Sequence, residues 1–373
     1  MKMSTEKIMS GTIEDLIRDK CPSGVVYRSI SELFILKNGY TPSKSNPDYW
    51  NNGKIPWFRM EDIRCNGHVL SDSIQHVTSS AVKKQLFPAY TVIISTSATI
   101  GEHALVTVDY LSNQRFTCLI PKPGVVINPY YLNYYADIID KWCLKNTVVS
   151  SFPSVDMDAF SKLRIPIPPM EVQDEIVRIL DIFTELTAEL TAELTARRKQ
   201  YEYYRDRLLS FDHLTPEERE RYGVRWITLG SIGSFIRGRR FVKNDFADSG
   251  IPCIHYGELY TYYGTKASRV KTYLRSDIET KLRYAQPNDV VVVAAGETVE
   301  DIGIGVAWIG DEKIAVHDAC FIFHHNQNPR YISHYLRTSQ YHQQIRPFVS
   351  TGKISSLSSE GLEKVCIPMV IEE

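Results

Sequence analysis

The chain has 373 residues, too many for one ordinary domain and comfortable for two. Hydrophobic residues make up 43% and charged residues 23%, the balance of a soluble globular protein rather than of a disordered or membrane-embedded one. A net charge of −1 does not advertise nucleic acid, yet leaves it open, because DNA is bound by a local patch that a chain-wide sum hides.

The N-terminal MKMSTEKIMS lacks the apolar core of a secretory signal, and no uncharged apolar stretch approaches the ~18–20 residues of a membrane span. Seven dispersed cysteines, with no C-x-x-C pair and no zinc spacing, read as reduced thiols. A cytoplasmic protein without metal or cofactor is expected.

In chain order, Ile13-Glu14-Asp15-Leu16-Ile17 has a short helical pattern, and Gly24-Val25-Val26-Tyr27 opens the first globular segment. The β-branched run Thr91-Val92-Ile93-Ile94 predicts a buried strand. Asn128-Pro129-Tyr130-Tyr131-Leu132 predicts a helix start, with proline at its first position. After Pro166-Ile167-Pro168-Pro169 the chain runs from about Glu171 to Leu209 without Gly or Pro. Ile176, Leu180, Phe183, Leu186, Leu190, Leu194 and Tyr201 recur at helical spacing, drawing one apolar stripe along a long helix. Such a helix needs a partner helix from this chain or another. Beyond it, Gly223-Val224-Arg225-Trp226, Val290-Val291-Val292-Val293 and Asn328-Pro329 repeat the earlier signals.

These signals form an ordered internal repeat. Gly39 matches Gly238, Ile55-Pro56 matches Ile251-Pro252, Ile100-Gly101 matches Ile302-Gly303, and Ile165-Pro166 matches Ile367-Pro368. The drifting offset, about 196 to 204, implies two copies of one α/β (α+β) domain with loops of unequal length. The expected layout is residues 1–165, a spacer helix over 166–210, a second domain over 211–365, and a C-terminal stretch over 366–373.

Ile165-Pro166-Ile167-Pro168-Pro169-Met170-Glu171-Val172-Gln173, followed by Ile176-Val177-Arg178-Ile179-Leu180, resembles the opening of the central conserved helix in specificity subunits of Type I restriction–modification systems. Val172 stands where that motif usually has glutamate. The Thr-Ala-Glu-Leu tetrads over 187–194 are similar to the family's spacer tetrads. The resemblance implies two similar target-recognition domains joined by a long coiled-coil-forming helix. It implies a bipartite, asymmetric target in double-stranded DNA, with the gap set by the helix. Methyltransferase (modification) and restriction subunits would be the partners, and the specificity subunit would carry no catalysis. In the family a second conserved helix follows the second domain, whereas this sequence stops at Val370-Ile371-Glu372-Glu373. The stripe is therefore expected to pair with another chain, by self-association.

DNA binding calls for cations at phosphates and for Arg, Lys, Asn, Gln, Ser or Thr at base edges. The strongest local signal is Arg237, Arg239, Arg240 and Lys243, clustered around Gly238 in a loop expected after the copy's first strand. Its first-copy counterpart holds Lys37, Tyr40, Thr41 and Lys44 around Gly39. DNA contact and a plain solvated loop are the two readings of this pair. Thr96, Ser97 and Thr99 form a small polar loop that could read bases or satisfy its own turn. Asn113, Gln114 and Arg115 suit adenine, guanine or phosphate, while their counterparts His317, Asp318 and Ala319 do not, so the half-sites should differ. Lys141, Lys145 and Lys353 are weaker candidates.

Two rivals stand beside this reading. Asn128-Pro129-Tyr130-Tyr131 is similar to the motif with which adenine DNA methyltransferases hold a flipped base, although a helix cap also explains it. A protein-only coiled-coil scaffold would have the same layout.

Overall fold

The computed structural model describes residues 13–149, 152–352 and 354–370. Two compact units meet between Leu190 and Thr191, inside the long helix.

In the first unit Thr91–Ser95 is buried at every position, as the centre of a sheet covered on both faces requires. The sheet order is Phe34–Asn38, Phe116–Pro121, Thr91–Ser95, His103–Val106 and Val69–Leu70. Successive side chains on a strand face opposite ways. Val92 and Ile94 accordingly meet Leu132, Ala136 and Ile139 of the helix Pro129–Lys145. Ile93 faces the other way, with Trp57, Phe58 and Tyr110 beside the small sheet His76–Val77, Ile55–Phe58, Leu111–Ser112. Tyr27–Ser29 pairs antiparallel with Arg164–Pro166 and ties the start of the domain to its end.

The second unit repeats this plan. Its main sheet runs Gly233–Arg237, Cys320–His325, Val290–Val293, Gly305–Trp308, Lys266–Ala267, with Val290–Val293 again buried throughout. Val224–Thr228 pairs with Cys366–Val370 as Tyr27–Ser29 pairs with Arg164–Pro166. Two short helices, Pro329–Tyr335 and Ser339–Ile345, stand where the first unit has one. The basic loops differ from expectation in position. They follow the second strand of each copy, because the first is taken up by the strand pair that closes the domain.

The expected helix starts are present in both units. The Asn128 Oδ1 accepts from the N–H groups of Tyr130 (2.8 Å) and Tyr131 (3.3 Å), and Asn328 caps Arg330 and Tyr331 in the same way. The Tyr131 hydroxyl then donates to the Pro166 carbonyl at 3.1 Å, and the Tyr331 hydroxyl to that of Pro368.

The central helix spans Met170–Ser210, 41 residues without a break. Pro169 leads into it, its carbonyl accepting from the N–H groups of Val172 and Gln173. Gln173, 1% exposed, links the helix to the first unit: its Oε1 accepts from Asn128 N–H at 2.8 Å. Asp206 does the same in the second unit, accepting from Ser339 N–H at 3.1 Å. Between these anchors the stripe is open to solvent, with Phe183 43%, Leu186 44%, Leu190 50% and Leu194 54% exposed. Ile176 and Leu180 are half-buried, and Tyr201, though exposed, hydrogen-bonds His334 at 3.0 Å. Among the described residues no helix is long and apolar enough to cross a membrane.

Candidate nucleic-acid interface

In the first unit the three polar segments singled out from sequence lie side by side. Tyr40 N–H donates to the Ser112 carbonyl (2.7 Å), and Thr96 N–H to that of Arg115 (3.0 Å). The Thr41 hydroxyl donates to Gln114 Oε1 at 2.5 Å. The first loop lies so close to the strand end that a Cβ on Gly39 would sit 2.2 Å from the Ser112 carbonyl oxygen.

The second unit builds the same junction. Arg239 N–H donates to the Val316 carbonyl (2.9 Å), Ala294 N–H to that of Ala319 (2.8 Å), and a Cβ on Gly238 would lie 2.2 Å from the His317 carbonyl oxygen. These equivalent bonds align Thr41 with Arg240, Thr96 with Ala294 and Gln114 with Asp318; the loop beyond Thr96 is four residues longer in the second unit, and Glu297 lies in it.

The candidates differ in availability. Lys37, Lys44, Gln114 and Arg115 are exposed, and Thr41, Ser97, Thr99 and Asn113 partly so. Asn113 Oδ1 accepts from Arg115 N–H at 2.9 Å and shapes the turn. Thr96 is 5% exposed, and its hydroxyl pairs with that of Thr117 at 2.8 Å, so it supports the surface from beneath. The Tyr40 hydroxyl is likewise engaged, donating to the Ala81 carbonyl and accepting from Lys83 N–H, both at 3.0 Å. Arg237, Arg239, Arg240 and Lys243 are all exposed. Arg237 Nε donates to the Asp318 carbonyl at 2.8 Å, which fixes its direction. Lys141 and Lys145 lie on the helix Pro129–Lys145, and Lys353 falls outside the described residues.

A cleft of about 580 Å³ opens where the second unit's segments meet, lined by Arg237, Arg240, Tyr256, Glu297, His317 and Asp318 among others. Sequence reasoning missed Tyr256 and Glu297 as site residues: a lone loop glutamate looks like any solvated acid. His317 anchors the basic loop. Its Nδ1 accepts from Ala319 N–H (3.1 Å), which leaves the Nε2–H to donate to the Phe241 carbonyl (3.2 Å). Burial lowers the His317 pKa from its ordinary value and so favours the neutral ring that makes both bonds.

Asn128, the residue a methyltransferase reading would use, is engaged as a helix cap. Besides the two cap bonds, its Nδ2 donates to Asp174 Oδ1 at 2.8 Å.

The family model described as Type I restriction modification DNA specificity domain matches residues 22–197 and again 223–373. The chain belongs to this family. Among its relatives, the Type I restriction enzyme EcoprrI specificity subunit of Escherichia coli is 54% identical over 238 residues, 60% of this chain and 58% of that subunit. The EcoR124I/EcoR124II specificity subunit of Escherichia coli is 32% identical over 199 residues, 50% of this chain and 48% of that one. The chain thus spans about half the length of the curated relatives it matches. A chain solved in work on complex assembly and conformational transition of the type I R-M system aligns over 92% of this chain and 85% of its own length. Its TM-score of 0.57 at 14% identity makes the likeness one of fold. The two family matches correspond to the two copies of the domain, each carrying its own loop junction.

Proposed function

We propose that the chain is the non-catalytic, sequence-reading subunit of a cytoplasmic Type I restriction–modification complex, recognising a bipartite DNA target. One observation carries this reading: a single chain builds the same three-segment polar junction twice, on two domains joined by one helix. Lys37, Lys44, Arg115, Arg239 and Lys243 supply phosphate contacts, while Thr41, Ser97, Thr99, Asn113, Gln114, Arg237 and Arg240 face base edges. Affinity then comes mainly from the cations and specificity from a few base contacts. The central helix sets the gap between half-sites and receives the methyltransferase subunits, which restriction subunits join. Its open stripe through Leu186, Leu190 and Leu194 also supports self-association.

Selection from a random duplex-DNA library, with the chain alone and with a methyltransferase subunit, tests the reading. The expected result is a two-part motif with a fixed gap. Salt-sensitive binding with no enriched motif, even with the partner present, would put the protein-only scaffold ahead.

A further inference from the structure

The cleft in the second unit is unusual for a surface that meets a polyanion. It presents Glu297 and Asp318 beside Arg237 and Arg240. Cations alone would suit a phosphate, and a carboxylate among them repels one.

The four charged groups are not equally occupied. Arg237 is held by its bond to the Asp318 carbonyl. Among the described residues, neither Arg240 nor Glu297 makes an ion pair. Two side chains of opposite sign therefore share one cleft, each with hydrogen-bonding capacity free. The first unit has Thr41 at the position aligned with Arg240, bonded to Gln114, and its shorter loop over 96–101 holds no carboxylate. The charged pair is thus a property of the second copy and not of the fold.

A bidentate guanidinium needs two acceptors on one base edge, and a carboxylate needs a donor next to them. In the major groove guanine offers O6 and N7, and its partner cytosine offers the N4 amino group. We infer that this cleft reads one G·C base pair, with Arg240 donating to guanine and Glu297 accepting from cytosine. The inference rests on the DNA-reading function proposed above and adds the identity of one base pair to it.

The test is random-duplex selection by the full chain with its methyltransferase subunit, followed by competition between duplexes altered at single positions. Wild type, Glu297→Gln, Arg240→Gln and Arg239→Ala would be compared. Wild type should enrich a fixed G·C pair in one half-site. Glu297→Gln and Arg240→Gln should each reduce discrimination at that same position roughly 10- to 100-fold, with the other half-site unchanged. Arg239→Ala should weaken all sequences alike. If Glu297→Gln strengthens binding to every duplex equally and shifts no base preference, the carboxylate only tunes charge and the inference fails. If the relaxed position is A·T, it fails as well, while the DNA-reading function stands. A wild-type selection that yields no motif overturns both.

Discussion

Two glycines are the tightest constraint at the scale of single residues. A Cβ at Gly39 or Gly238 would meet a backbone carbonyl oxygen at 2.2 Å, and backbone cannot move aside as a flexible side chain can. Gly238→Ala should therefore destabilise the second unit by about 1–3 kcal/mol and displace the basic loop. Urea unfolding would measure the first effect and DNA affinity the second. The cations of that loop divide by position: Arg237 and Arg240 line the cleft, whereas Arg239 and Lys243 do not. Replacing Arg239 and Lys243 together by Ala should reduce the salt dependence of binding by about two phosphate contacts, a slope change near 2. An unaltered slope would move the phosphate contacts elsewhere. The residue types of this loop, four cations around a glycine, are by themselves enough to suggest DNA. Thr96 shows the limit of that reasoning, since its hydroxyl is engaged by Thr117 across a strand pairing that composition does not reveal.

The long helix dominates at the scale of elements. Its run without Gly or Pro, about Glu171 to Leu209, matches Met170–Ser210 within one residue at each end, whereas the spacer helix laid out over 166–210 begins four residues early, in the Pro-rich lead-in. Removing Thr187–Leu190 takes out about 6 Å of helix, close to two base pairs. The selected motif should then have a gap shorter by about two base pairs and unchanged half-sites; altered half-sites with an unaltered gap would end the ruler mechanism. The exposed leucines at 186, 190 and 194 make a second prediction. The chain should self-associate in light scattering, and changing all three to Ser should leave a monomer, because the apolar contact that a partner helix would cover is removed. A wild-type chain that stays monomeric at high concentration would refute this.

Over the whole molecule, half-buried histidines with lowered pKa values gather in the second unit, whereas the fully buried His103 lies in the first. Burial lowers the pKa of His255, His317, His325, His334 and His342, with His325 brought down to about 4. Each takes up a proton more readily when unfolded. Stability therefore rises with pH between the folded and unfolded pKa values and is lost on acidification below about 6.5. For His325 the window runs from about 4 to about 6.5, and moving from pH 7 to pH 5 should remove roughly 2 kcal/mol through this residue. His325→Gln should flatten the pH dependence of thermal unfolding; an unchanged slope would assign the acid sensitivity to the other four.

Whatever depends on neighbouring residues in the chain was settled by the sequence alone. The repeat, the buried Thr91–Ser95 and Val290–Val293 strands, the Asn-Pro helix starts and the 41-residue helix all follow from local spacing, which the backbone converts directly into a face or a cap. Only the tertiary structure decided which polar side chains remain available. Sheet order brings Thr41 to Gln114 and places Arg240 and Glu297 in one cleft, far apart in sequence, and it buries Thr96 while leaving Thr99 partly open. Those outcomes depend on strand pairing and loop closure across 21 to 73 residues, and no local period records them.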